Sequence, residues 1–465
     1  MSRKNEIILK SVGIDYEKFS QGRMAFDYEA MMENAAYSLD EVGEIQRAVG
    51  VGNTPLLELK NLTQMARDTA PRGYGARIFV KDEAANPSGS FKARRAAVSV
   101  YHAKKNGFTG VLAATSGNYG AAVASQAAMQ GLNCIIVQEV YDSKGVGQPE
   151  IVEKGRKCEA LGAEVVQLTV GPELFYTALL LLEETGYFNA SLYTPFGIAG
   201  IETLGSEIAG QVQQRCGRPP DAVVVTHAGG GNVTGTARGL IKAGCASTRI
   251  IGASVDLTGL HMASDRDFNR KSFTTGHTGF GVPFATWPDR TDVPRNAARP
   301  LRYLDRYVLI TQGEVFYMTE ALAQLEGIER GPAGNTSLAA AVVIAREMKE
   351  DEILVVQETE YTGAGKHPSP QLTFAVQSGV EVKLGDPAED VPGKVIAIPR
   401  CPEQLRVREF DLKEAGCSYL RNAVRHFRLD DVSRAEMEFL ASDIRWDVGD
   451  VRRVLTELGV SCPNL

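Results

Sequence analysis

Residues 221–244 read DAVVVTHAGGGNVTGTARGLIKAG. A β-branched apolar run from Ala222 to Thr226 gives way to three consecutive glycines, and a helical pattern follows through Ala237, Leu240 and Ile241. That order is a strand, a tight turn and a helix. Three glycines in a row cost backbone entropy that packing does not recover. They suit a place where amides at the positive end of a helix close around a phosphate, each charge-assisted hydrogen bond contributing about 1.5–3 kcal/mol. The spacing is not G-x-G-x-x-G, and G-K-[ST] occurs nowhere in the chain. Both common nucleotide loops are therefore argued against.

Outward from this unit the same alternation repeats. ARIFVKD, GVLAATS, NCIIVQEV, AEVVQLTV, RIIGASVD, YVLIT and EILVVQE read as strands, and YGAAVASQAAMQG, PEIVEKGRKCEALG and TSLAAAVVIAREM as helices. Strands alternating with helices of this length make βαβ units, so the class is α/β with mostly parallel sheets covered on both faces. The 465 residues, 44% hydrophobic and 23% charged, are enough for two or three domains. A net charge of −7 argues against a nucleic-acid surface. Seven cysteines, from Cys134 to Cys462, are odd in number and form no C-x-x-C pair; reduced thiols are expected, and no metal site. The start, MSRKNEIILKSVG, lacks a signal-peptide core, and no apolar run approaches a membrane span. A cytoplasmic protein without membrane contact is expected. From Asp386 onward the character changes, with strand-like KVIAIP and then charged helical stretches such as VSRAEMEFLASDI. This reads as a C-terminal extension packed on the main body or on a partner.

Three further turns carry chemistry. In Pro87-Ser88-Gly89-Ser90-Phe91-Lys92 a lysine opens a helix running to about Lys105. A cation there opposes the helix dipole by about 0.3–1 kcal/mol, so its placement needs a reason. Ala114-Thr115-Ser116-Gly117-Asn118-Tyr119-Gly120 follows a strand and opens an apolar helix, a natural seat for a carboxylate. Thr362-Gly363-Ala364-Gly365-Lys366-His367 follows the strand EILVVQE, and its threonine hydroxyl can bond a ring nitrogen. Each has an ordinary reading as a capped or solvent-exposed turn. Together they supply an amine for an imine, a polyamide cup for a phosphate, an Asn beside the amine and a hydroxyl for a ring nitrogen. Those are the needs of pyridoxal 5'-phosphate.

From Val51-Gly52-Asn53-Thr54-Pro55-Leu56 through SGSFKAR, TSGN and GGGN to TGAGK, residues 50–379 resemble the tryptophan-synthase-β-like, fold type II, pyridoxal-phosphate enzymes. The resemblance implies two open, twisted, mostly parallel sheet domains with the cofactor between them. It divides the chain into an N-terminal helical segment (1–50), a large cofactor-binding domain (51–105 and 205–385), a smaller mobile α/β domain (106–204) and the C-terminal extension (386–465). It makes Lys92 the catalytic lysine that joins the cofactor covalently, and puts Asn118 on the 3'-oxygen. Gly229, Gly230, Gly231 and Asn232 surround the phosphate, Thr362 faces the pyridine nitrogen, and Thr115 and Ser116 seat the substrate carboxylate. Lys92 joined in this way carries no free ammonium to oppose its helix end. A neutral hydroxyl contributes about 1 kcal/mol to holding the ring proton, against about 5 for an aspartate at 3 Å. Thr362 thus favours chemistry at the β-carbon over transamination.

Longer stretches, EAANPSGSFKARRA, YDSKGVGQPE, FNASLYTPFGIAG, FGVPFATWPDR, RGPAGNTSLAAA and QETEYTGAGKHP, with the C-terminal extension, resemble the β subunits of 2-amino-4-oxopentanoate thiolases. This narrower resemblance implies an acyltransferase of ornithine degradation that cleaves its amino acid with coenzyme A to alanine and acetyl-CoA. It also implies a smaller α subunit as partner in a hetero-oligomer. Ala93 stands where the wider family often has Asp, and Gly331 where many members have Glu, so substrate specificity does not transfer from the biosynthetic enzymes. A β-eliminating lyase or a threonine-synthase-like enzyme uses the same turns and stays open as an alternative. No coenzyme A signature is visible. Lys366, His367, Arg302 and Arg306 are candidate diphosphate contacts, with solvated charge as their ordinary reading.

Overall fold

The computed structural model describes residues 3–35, 37–115, 117–260, 265–274, 279, 286–287, 289, 292–361 and 368–463. Two sheets carry the architecture. The larger runs, edge to edge, through Arg408–Glu409, Arg306–Ile310, Arg249–Val255, Ala222–Thr226, Ile353–Glu358, Arg77–Asp82 and Leu56–Glu58. Its five central strands are parallel, and each edge strand is antiparallel to its neighbour. The smaller sheet is parallel throughout, in the order Glu164–Thr169, Asn133–Tyr141, Gly110–Thr115, Phe188–Asn189. The central strands are apolar on both faces, as a parallel sheet covered by helices requires. Residues of Ala222–Val225 and Ile353–Val356 are essentially inaccessible to solvent.

The expected α/β class and type of sheet are met. The expected strands all form; the short strands Ser20–Gln21, Ala25–Phe26, Leu56–Glu58, Phe188–Asn189, Glu381–Leu384 and Arg408–Glu409 are not marked by the sequence pattern. The helix Pro195–Cys216 is unbroken for 22 residues, about 33 Å at 1.5 Å per residue, so the division expected at residue 204 falls inside it. It lies against the helix Gly231–Lys242 with backbone nearly touching backbone. A side chain at Gly205 would overlap the Thr236 carbonyl oxygen, and one at Gly239 the Glu202 carbonyl oxygen.

Ahead of the sheets, the helices Arg3–Val12, Tyr28–Ala35 and Leu39–Ala48 share one apolar cluster with the helices Lys92–Lys105 and Asn118–Gln130. The C-terminal extension packs on the main body of its own chain. Its helices Leu412–Phe427, Arg434–Ile444 and Val448–Glu457 enclose Met24, Leu301, Tyr307 and Leu309. Arg408–Glu409 completes the large sheet. All seven cysteines are free. No helix among the described residues is long and apolar enough to cross a membrane, and no metal-ligating cluster occurs among them.

Candidate functional site

In each sheet the strand order reverses once. The small sheet turns back at Gly110–Thr115, and the large one between Ala222–Thr226 and Ile353–Glu358. Open α/β sheets bind ligands beyond the carboxyl ends of strands at such points. There the protein has a cavity of about 490 Å³, lined among others by Lys92, Thr115, Asn118 and Gly229–Asn232. Three of the four turns, far apart in sequence, therefore contribute to one space. Ser116 and the whole segment Thr362 to His367, the fourth turn, lie outside the described residues.

The Lys92 turn is pinned from across the cavity. Gly89 has φ +74° and its amide donates to the Asn86 carbonyl at 2.7 Å. A Cβ at Gly89 would lie 2.7 Å from the Tyr361 carbonyl oxygen, so close approach and left-handed backbone both require glycine. Phe91 N–H donates to Thr359 O at 3.1 Å and Tyr361 N–H to Gly89 O at 2.8 Å. Lys92 opens the helix Lys92–Lys105 with its Nζ 4.7 Å from the Phe91 ring centroid. Burial pushes its pKa down to about 8; Glu360 opposes the shift, and Lys154 and Arg95 add to it. An amine of that pKa has a free-base fraction that grows through mildly basic pH, far above that of an ordinary lysine, as a nucleophile or base requires.

At the Thr115 turn, the Thr115 hydroxyl oxygen accepts from the amides of Gly117 (2.9 Å) and Gly120 (3.3 Å) and so caps the helix Asn118–Gln130. Its own proton remains available to a ligand. Asn118 is buried at the first helical position.

The triple glycine is a cradle that no other residue fits. A Cβ at Gly229 would overlap the Tyr193 hydroxyl, one at Gly230 (φ +84°) would lie 2.5 Å from Pro300, and one at Gly231 would overlap the Arg95 guanidinium. The helix Gly231–Lys242 begins here, and its first amides have no intrahelical acceptor. Around the cradle, Asn232 Nδ2, Thr226 Oγ1 and Arg95 Nε are buried without a hydrogen-bond partner. Buried polar groups are rarely left so, and this donor set fits the phosphate and polar ring substituents of pyridoxal phosphate. The extension braces the cradle from behind: Arg299 donates to Asp443 at 3.3 Å, and its amide to the Thr234 hydroxyl at 2.9 Å.

Several residues of the cavity escaped the sequence reading. Arg95 donates to the Leu192 carbonyl at 2.9 Å and pairs with no carboxylate among the described residues, leaving a buried cation for a phosphate. Its place three residues after Lys92, on the same helical face, was the available signal. Glu360 is buried with Oε1 unpartnered, and the pair Glu150 and Lys154 lines the same space. Nothing in the local sequence marked these three. The candidate diphosphate contacts that are described are engaged within the chain. Arg306 pairs with Glu347 (2.5 Å) and Glu409, and Arg302 donates to Ser442 Oγ at 2.9 Å.

Comparison with known proteins agrees with the geometry. Two chains, both "2-amino-4-ketopentanoate thiolase beta subunit", are similar over nearly their whole length. One, from an unknown prokaryotic organism, is 67% identical over 460 residues (99% of this chain, 98% of the relative). The other, from Acetoanaerobium sticklandii, is 62% identical over 461 residues (98% and 97%). Among solved structures, maize serine racemase is 21% identical with a TM-score of 0.54, covering 73% of this chain and 98% of that one. It supports the fold alone. The family model described as "Pyridoxal-phosphate dependent enzyme" matches residues 48–358. That span holds the lysine, the glycine cradle and both sheet reversals, and the chain belongs to the pyridoxal-phosphate-dependent enzymes of fold type II.

Proposed function

We propose that this chain is the catalytic β subunit of a two-subunit thiolase that cleaves 2-amino-4-oxopentanoate with coenzyme A, giving alanine and acetyl-CoA. The observation that carries the proposal is 62–67% identity, over nearly the whole chain, to two proteins bearing that thiolase's name. The balance is redox-neutral. The thiol sulfur bonds to C4, the C3–C4 bond breaks, and the thiol's proton replaces C4 on C3.

Bound in the cavity, pyridoxal phosphate supplies an electron sink for the α- and β-carbons of the amino acid. The chain's own residues do the rest. The amides of Gly229–Asn232 and the Arg95 guanidinium hold the phosphate. Asn118 would meet the 3'-oxygen, and Thr362, outside the described residues, would serve the ring nitrogen. Thr115, with Ser116, orients the substrate carboxylate. Lys92 would hold the cofactor and would move the proton from Cα and back. The cavity gathers the described ones among these residues from both sheets.

Coenzyme A is the thiol donor, because no cysteine lines the cavity among the described residues, and the smaller α subunit completes its site. The chain alone is expected to bind pyridoxal phosphate and the amino acid but to make little acetyl-CoA. Reconstituted with its partner subunit, it should form alanine and acetyl-CoA in equal amounts from 2-amino-4-oxopentanoate. Ammonia release independent of coenzyme A as the main reaction would establish a lyase instead.

A further inference from the structure

We propose that Lys154 is a second catalytic cation, whose ammonium receives the C4 oxygen of the substrate and stabilises the negative charge that develops there. The inference rests on the thiolase reading above.

Lys154 and Glu150 face each other one turn apart on the helix Pro149–Ala160, at 2.5 Å. Pairs at this spacing ordinarily sit on solvated faces and contribute little. This one is enclosed, with 12% and 6% of the two side chains exposed. Enclosing two charges carries a desolvation cost, and this pair borders a cavity in place of being closed off in the scaffold. It lines the same cavity as Lys92, Thr115 and Asn118. The lysine stem runs over the Thr115 turn: a Cβ at Gly117 would lie 2.5 Å from Lys154 Cδ. The ammonium therefore emerges beside the turn that receives the amino acid.

The two lysines of the cavity are held in different states. Burial opposes the charge on Lys154, but Glu150 and Glu360 outweigh it and raise its pKa, whereas Lys92 is lowered. One amine is poised to exchange protons and the other to stay charged. Of the three N–H donors on Lys154, Glu150 occupies one.

The ligand this pair suits is a neutral oxygen that gains charge during the reaction. Burial raises the pKa of Glu150 and Lys154 works against that rise; a permanent carboxylate would add a third acidic group beside Glu150 and Glu360, both buried. A ketone oxygen meets no such repulsion on binding. When the thiol sulfur bonds to C4, the carbonyl π pair moves to oxygen, and Lys154 donates to the resulting oxyanion. When the C3–C4 bond breaks, the pair from that bond goes to C3 with the proton the thiol gave up, and the oxygen returns to a thioester carbonyl. No oxidant or reductant enters. Removing one preorganised donor to an oxyanion lowers kcat about 10²–10³-fold.

The test uses the reconstituted two-subunit holoenzyme and two reactions. The first is coenzyme A-dependent cleavage of 2-amino-4-oxopentanoate. The second is exchange of the Cα hydrogen of alanine with solvent deuterium, using the enantiomer the enzyme forms. Alanine has the same carboxylate and amine but no C4 oxygen; microscopic reversibility requires the enzyme to remove and return its Cα proton, and washout from the base appears as exchange. Lys154→Met is expected to slow cleavage about 10²–10³-fold while exchange, compared on the pH plateau of each protein because Lys154 lowers the pKa of Lys92, falls less than about threefold, and Lys154→Arg to restore part of the cleavage. If the lone Glu150 left by Lys154→Met prevents folding, the double variant Lys154→Met/Glu150→Gln is read the same way. Equal loss of both reactions would put the cation on the carboxylate or in the scaffold, and undiminished cleavage would remove it from the reaction; either overturns the assignment. Failure of the thiolase reading itself shows separately, as wild-type enzyme that does not cleave.

Discussion

Two residues after Lys92, the guanidinium of Arg94 donates to both carboxylate oxygens of Glu83 (2.7 and 2.8 Å) and both of Glu207 (2.9 and 2.7 Å), wholly shielded from solvent. Lys81 also donates to Glu207, at 2.8 Å, and the Thr54 hydroxyl to Glu83 at 2.5 Å. This network fixes the first turn of the lysine's helix from the side away from the cavity. Arg94→Met leaves the buried Glu83 carboxylate without a cation, while Glu207 keeps Lys81, and is expected to cost about 3–5 kcal/mol, read as a lower urea midpoint. Burial works to raise the pKa of Glu207, but Arg94 and Lys81 prevail and lower it to about 2. A carboxyl held below its unfolded value stabilises the fold above about pH 4.5 and loses that contribution as pH falls towards 2. The wild type should therefore lose stability across that window more steeply than Arg94→Met. At Lys92 the sign is different. Its pKa of about 8 means the free amine grows as pH rises through 8. Capture of pyridoxal phosphate by apoprotein, trapped with borohydride, should rise over pH 7–9 and level off. Glu360→Gln should move that midpoint down, since Glu360 favours the ammonium. Lys92 was legible because its turn needs a glycine at a fixed offset. Glu83, Glu207 and Lys154 were not, because each meets its cavity or network partners only after distant segments pack.

Among elements, the long β-branched runs were read directly from sequence, because a strand covered on both faces is apolar throughout. The two- and three-residue strands left no such trace; their pairing is set by the edge they land on. The same contrast governs the glycines of helices. Gly231→Ala drives a methyl into the Arg95 guanidinium and displaces a phosphate donor. It should weaken pyridoxal phosphate binding about 10- to 100-fold, the equivalent of one charge-assisted hydrogen bond, in a cofactor titration. Gly210 lies in the helix Pro195–Cys216 on its exposed side, and a Cβ added there would meet nothing within 4 Å. Gly210→Ala should raise stability by about 0.5–1 kcal/mol and leave cofactor affinity unchanged. Both are helix glycines in sequence, and only their surroundings separate them.

For the whole molecule, the C-terminal extension is part of the cofactor site's support. Its Asp443, together with Asp289 at 2.8 Å, holds Arg299, and the neighbouring Pro300 fills the space above Gly230. Asp443→Asn is expected to lower pyridoxal phosphate affinity about tenfold without removing any residue that lines the cavity, as a cofactor titration would show. That the extension packs on something was legible in its apolar spacing, but its partner surface is assembled from residues as distant as Met24 and Leu309, which no local pattern announces. The two sheets also differ in how they are threaded. The small one is drawn from a single stretch, Gly110 to Asn189, whereas the strand Arg77–Asp82 finds its parallel neighbour only in Ile353–Glu358. On a ribosome making about 5–20 residues per second, the small sheet can close while Arg77–Asp82 still waits, for roughly 15–50 s, with an apolar edge exposed. Chaperone supply and translation speed, rather than the stability of the finished enzyme, then set how much of it a cell obtains.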